Sequence, residues 1–140
     1  SGYIESNKRL MFNDSTNKAE AIGKVKIILT NKTIIYADNI KANFTGKAKS
    51  LKDAVAKGNV IIESNQEGKK SKADIGIYNA SKDIIQLKGN VIILNQNSKI
   101  TGSNGITNIK TGISKITGSA NKKERVKGIL SPSNNKKKGG

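Results

Sequence analysis

"LKGNVIILNQNSKITG", residues 87–102, is the stretch on which the fold turns. A glycine sits between Lys88 and Asn90, the apolar run Val91-Ile92-Ile93-Leu94 follows, and the run stops in polar residues. Nearly the same words stand earlier, as "AKGNVIIES" at 56–64 and "AIGKVKIIL" at 21–29, and in shorter form as "ITGSA" at 116–120. The glycines fall at 23, 58, 89 and 118, spaced by 35, 31 and 29 residues, a period at which one supersecondary unit stacks on the next.

Two further landmarks keep step with the glycines. Asp38, Asp74 and Asn104 follow the first three by 15, 16 and 15 residues. Phe12, Tyr78 and Thr107 each precede a glycine by 11 residues, and each is followed by Asn. The unit therefore reads as turn, strand through glycine, loop, strand back. A glycine inside a strand pattern marks a bulge or bend, and a row of them curls a sheet.

Successive strand side chains point to opposite faces, so counting by twos from each glycine assigns the faces. Val25, Ile27 and Leu29 share the first glycine's face; Val60 and Ile62 share the second's; Ile85, Leu87, Val91 and Ile93 the third's; Ile116 the last's. None is charged. Lys24, Lys26 and Lys88 fall on the opposite face, with Glu20, Lys57 and Glu63. By the same count Tyr36, Phe44 and Ile34 join Ile40 and Ala42 as lining or core. One apolar and one wet face per strand favours antiparallel pairing, and the helical period is nowhere sustained.

A chain of 140 residues is about one domain. With 34% hydrophobic and 4% aromatic residues it has little to fill a thick core. Ala, Val, Ile and Leu on the inner face leave an elongated space suited to hydrocarbon, while an ordinary β-sandwich with a filled core is the competing reading. The absence of His and Cys removes the usual metal ligands and the side chain that titrates near neutrality, and no nucleophile stands at a defined spacing from a base. Asp53 and Asp83, each following a Lys, read as solvated hairpin charges. The chain is not expected to be an enzyme, nor to need a cofactor or metal.

A formal charge of +16 predicts attraction to polyanions, so a basic nucleic-acid-binding β-module is an alternative. Three Tyr and two Phe are few for such a binder, which stacks bases on exposed aromatics. The four-residue run at 91–94 is far short of the roughly 20 apolar residues of a membrane-spanning helix. No signal segment precedes Tyr3, so any secretion signal is expected to have been removed.

The A-x-G-N-V strands, the Ala-Asp landmark, "YNASKDIIQLKGNV" at 78–91, the opening "YIESN" at 3–7 and above all the ending "ERVKGILSPS" at 124–133 resemble the LptA/OstA family of periplasmic lipopolysaccharide-transport bridge proteins. The third unit departs from the family's Ala-Asp, with Ser103-Asn104 in its place. The resemblance implies an all-β, open β-jellyroll of many short antiparallel strands over residues 3–133, V-shaped with an apolar groove, and a disordered basic tail at 134–140. It implies a lipid A carrier that bridges the inner and outer membranes across the periplasm. The residues Val25, Ile27, Leu29, Val60, Ile62, Ile85, Leu87, Val91, Ile93 and Ile116 are then the groove lining. Copies would join head to tail through Ile4, Glu5 and Ser6 at one end and Val126, Ile129 and Leu130 at the other, with LptC-like and LptD-like proteins as terminal partners and no nucleic acid expected.

Overall fold

A computed structural model describes residues 2–29, 31–64, 69–118 and 120–125. Its elements are strands: β1 (Gly2–Glu5), β2 (Arg9–Asn13), β3 (Lys18–Leu29), β4 (Ile34–Phe44), β5 (Leu51–Glu63), β6 (Lys70–Asn79), β7 (Ile84–Leu94), β8 (Ser98–Asn108), β9 (Ser114–Ile116) and β10 (Ala120–Arg125). They form one antiparallel sheet in the order β1-β3-β4-β5-β6-β7-β8-β10, with β2 also on β3 and β9 also on β8. The expected opening strand is β1, with Ser6 just past its end. Among the described residues the chain's last strand is β10; Val126, Ile129 and Leu130, expected in a closing strand at 125–131, lie outside them, as does the expected tail at 134–140.

Each hairpin that opens a unit is built by its asparagine. Asn13 Oδ1 accepts from the amides of Ser15 and Thr16 at 3.0 and 3.3 Å, Asn79 Oδ1 from that of Lys82 at 3.2 Å, and Asn108 Oδ1 from that of Thr111 at 3.1 Å. Four residues after each Asn the backbone turns left-handed, at Asn17, Asp83 and Gly112. Short polar side chains and glycine tolerate that region best, which is why these turns recur with that composition.

The glycines mark corners. Gly58 and Gly89 have φ of 84° and 81°, and Asn59 and Asn90 after them 49° and 48°. At each corner the glycine strand spends one residue more than its neighbour: Lys57 to Val60 on β5 opposes Ile75 to Ala73 on β6, and Lys88 to Val91 on β7 opposes Asn104 to Gly102 on β8. This three-for-two bulge bends six long strands along a common line. It divides the sheet into two arms. Arm I holds β2, residues 18–22, 39–44, 51–57, 75–79, 84–88 and 104–108, and β9; arm II holds β1, residues 25–29, 34–37, 60–63, 70–73, 91–94 and 98–102, and β10.

The bulge also corrects one expectation. Parity runs unbroken through the glycine strands but slips by one on their partners, so on β4 the buried residues are Ile35 and Ala37 before the corner and Ile40 and Ala42 after it. Ile34 and Tyr36 therefore lie on the outer face, and only Phe44 stays with the inner set. A count by twos cannot see a residue dropped from register.

Candidate functional site

The apolar faces of the two arms are turned toward each other. A methyl added to Gly76 of arm I would come within 3.1 Å of Val60 Cγ1 of arm II, and one added to Gly105 within 3.2 Å of Val91 Cγ1. Glycine at these two places lets a valine of the opposite arm approach the backbone. The lining residues of the two arms thus meet in a seam and are buried there. Val25, Ile27, Ile85, Leu87 and Val91 are wholly buried, Val60 and Ile62 nearly so, and Leu29 and Ile93 retain 3% exposure. Ile116 is partly buried and packs against the same cluster.

Structure and sequence agree on which face these ten residues occupy; they are brought together in one continuous cluster. The parity count did not anticipate how the seam is fastened. Ser71 of arm II donates to Ser114 of arm I at 3.2 Å, and Ser114 and Thr107 share a hydrogen bond at 2.7 Å. Asn31 Nδ2 donates to the Ile109 carbonyl at 2.5 Å, tying the β3–β4 turn of arm II to the β8–β9 loop of arm I. The Ser71–Ser114 and Asn31–Ile109 contacts join residues far apart in the chain, and no local pattern signals them.

Tyr78 is the one large polar side chain of the inner cluster. Burial raises its phenol above the ordinary range, with the charge of Asp83 adding to the rise. On the outer face burial likewise raises the Tyr36 phenol, helped by the charge of Glu63 and by the hydrogen bond its hydroxyl donates to Glu63 Oε1 at 3.2 Å. Asp83 pairs with Lys110 at 3.7 Å in its turn, and Asp53 accepts from Asn43 at 2.6 Å.

Beyond the buried centre, apolar surface is exposed at the two edges of the sheet. Leu10, Met11 and Phe12 of β2 are 53%, 43% and 48% exposed, Tyr3 of β1 is 54%, and Ile113, just before β9, is 55%. By register Leu10 and Phe12 continue the inner face, opposite Ala21 and Ala19. Phe12 meets Phe44 edge-on at 5.7 Å, and Lys49 lies over its ring at 5.4 Å. Ile4 packs on the core from β1, and Ser6 Oγ donates to the Ile22 carbonyl at 2.6 Å, holding the chain at the corner. Glu5 lies opposite Lys26 in the ladder.

This geometry can enclose hydrocarbon along a long uncharged face. It also offers strand edges at both ends. The sequence profile of one family, described as "LptA/(LptD N-terminal domain) LPS transport protein", matches residues 3–113. Among curated proteins none matches significantly. Of the solved structures, one similar chain is LptH, the LptA-homologous periplasmic component of the lipopolysaccharide transport device of Pseudomonas aeruginosa. It has a TM-score of 0.71 at 11% identity, over 94% of this chain and 96% of that one. At that identity the likeness is one of fold, and it is the open jellyroll.

Proposed function

The chain belongs to the LptA and LptD N-terminal domain family of lipopolysaccharide transport proteins, and from that premise we propose that it carries lipid A with the acyl chains in the seam between its arms. Its role is transport, not catalysis. The observation that carries the proposal is the inner face itself: it runs uncharged across the six long strands, is sealed by its own side chains, and is exposed only at the sheet edges.

Entry of a chain requires the arms to part about the corner line. What is lost is contact between apolar side chains, and what replaces it is contact between those side chains and methylenes. Each methylene taken from water contributes roughly 0.8 kcal/mol, whereas one exposed charge pair at 4 Å contributes about 1 kcal/mol in water. Acyl burial therefore dominates affinity, and a lysine near the corner such as Lys24 is placed to meet headgroup phosphates. Transport of this kind runs down a series of sites and draws its energy elsewhere.

Head-to-tail joining of copies follows from the edges. A sheet that ends in β1 and β2 on one side and in β9 and β10 on the other leaves strand edges that either aggregate or pair. Pairing of unlike edges does not close, so it extends into a filament. Such a filament, ending on LptC-like and LptD-like proteins in the periplasm, is the bridge we propose, with Ile4, Glu5 and Ser6 at one junction and Val126, Ile129 and Leu130 at the other.

A photoreactive residue at Val91 should crosslink to lipopolysaccharide, while one at Asn90, exposed on the corner, should not. High salt should reduce capture only in part, because salt screens phosphate contacts and leaves methylene burial intact. Equal labelling from both positions would overturn the seam assignment.

A further inference from the structure

The outer face of arm I carries two unbroken rows of side chains that lipid carriage does not use. Register places Met11, Glu20, Lys41, Val55, Ile77, Gln86, Ile106 and Lys115 in one row. It places Arg9, Ile22, Asn39, Lys57, Ile75, Lys88 and Asn104 in the next. With strands about 4.8 Å apart, the longer row spans roughly 34 Å. It is a face, not a point.

In these two rows five cations, Arg9, Lys41, Lys57, Lys88 and Lys115, are exposed, against the carboxylate of Glu20, which accepts from Asn39 at 3.0 Å; the next row of the same face adds Lys18 and Asp53. Between them Ile22, Val55, Ile75, Ile77 and Ile106 are partly exposed, and Met11 is 43% exposed. None of the five cations is in an ion pair among the described residues. The outer face of arm II differs: there Glu63 pairs with Lys70 at 3.7 Å and takes the Tyr36 hydroxyl, and Lys26 lies over the Tyr36 ring at 5.9 Å. Lys70 and Lys26 thus have local partners there, while Lys72 is exposed. Where arm I curls between β2 and β5, Met11, Lys18, Glu20, Lys41, Asn43 and Val55 line a hollow of about 870 Å³.

We propose that the outer face of arm I docks on the surface of an anionic phospholipid bilayer, its lysines on the headgroup phosphates and its isoleucines at the acyl boundary. Charge complementarity selects an anionic occupant, since each cation near such a surface strengthens partitioning roughly fivefold. The aliphatic strip selects lipid over nucleic acid, because a base-stacking face needs aromatics and these two rows contain none. The site is on the opposite side of the sheet from the seam, so it acts independently of acyl capture: a carrier docked this way keeps its seam free.

The test uses the full chain and phosphatidylglycerol/phosphatidylcholine vesicles free of lipopolysaccharide. Tryptophan introduced as Ile77→Trp should shift to the blue on vesicle addition, and the same probe as Ile61→Trp on arm II should not. Lys57→Glu with Lys88→Glu should weaken co-sedimentation at least tenfold, while Lys26→Glu with Lys72→Glu, which changes net charge by the same amount, should weaken it far less. Unchanged circular dichroism and melting establish that each variant is folded. Equal weakening by the two pairs would show that overall charge, not this face, does the binding and would overturn the proposal. A blue shift at position 61 but not 77, or a response of Trp at 77 to duplex DNA and not to vesicles, would overturn it as well.

Discussion

The corners at Gly23, Gly58 and Gly89 share a left-handed glycine that Gly118 lacks, and the two central corners and the two outer ones are fastened differently. At the centre, Asp38 lies over Gly58 and accepts from Asn59 at 2.9 Å, and Asp74 lies over Gly89 and accepts from Asn90 at 2.8 Å. At the first corner Lys24 replaces the Asn, and the stem of Lys8 covers Gly23. At the last, Asn104 replaces the Asp; its carbonyl accepts the Thr117 amide at 3.0 Å, and its side chain donates to Ser103. The backbone is therefore left-handed at the first three corners, and among the described residues a carboxylate lies over the corner glycine at the two central ones. A sheet whose centre is clamped and whose edges are not can pair its edges and part its arms without losing its bend.

Glycine substitutions test that difference most strongly. Gly58→Ala and Gly89→Ala should each cost about 2 kcal/mol, because a left-handed backbone disfavours a Cβ and the new methyl would stand 2.7 Å from an Asp oxygen. Gly118→Ala should cost less: the new methyl would crowd Asn104 Nδ2 at 2.7 Å much as at the central corners, but the backbone there is not left-handed. Denaturant melts of the three variants decide it; equal losses would erase the distinction between central and outer corners.

Removing the clamps is a smaller perturbation. Asp74→Ala leaves Asn90 without its carboxylate on an exposed corner and should cost about 1 kcal/mol, whereas Asn104→Ala, which keeps the backbone acceptor, should stay within about 0.5 kcal/mol. Hydrogen exchange should sharpen the same contrast, with amides beside Gly118 opening sooner than those beside Gly58 and Gly89.

The smallest effect acts away from the corners and depends on pH. Both Tyr78 and Tyr36 have phenols raised in the fold, so the folded protein holds those protons more tightly than the unfolded chain. The stability they contribute is complete below the ordinary phenol value near 10 and is lost as pH rises through the raised one. Tyr78→Phe should flatten part of that alkaline loss while changing neutral stability little, since its burial and not a bond is the main cause. An alkaline decline that is unaltered in both Tyr78→Phe and Tyr36→Phe would assign the loss to other groups.

Much of the fold was legible before any coordinate, for reasons visible at particular residues. Val91 and Ile93 could be placed on the inner face because parity survives the extra residue at Gly89. The turn asparagines, 13, 79 and 108, announced themselves by spacing because each builds the same local hydrogen bonds. Tyr36 was misplaced because the bulge drops one residue from its strand's register, and a register is a property of two strands. The meaning of Asp38 and Asp74 was hidden for the same cause: their partners, Gly58-Asn59 and Gly89-Asn90, lie on another strand.

The sequence by itself determined the repeat, the glycine corners, the uncharged face and the family likeness, because each of these is written within a dozen neighbouring residues. Tertiary structure alone decided that the two apolar faces meet, that Val60 and Val91 close on Gly76 and Gly105, and that Ser71, Ser114 and Thr107 fasten the seam. It also decided that Arg9, Lys41, Lys57, Lys88 and Lys115 of arm I share one face with no ion pair among the described residues, while Lys70 of arm II pairs with Glu63. These depend on which residues the folded sheet sets opposite one another, and strands separated by thirty or more residues acquire neighbours only when the whole sheet has bent.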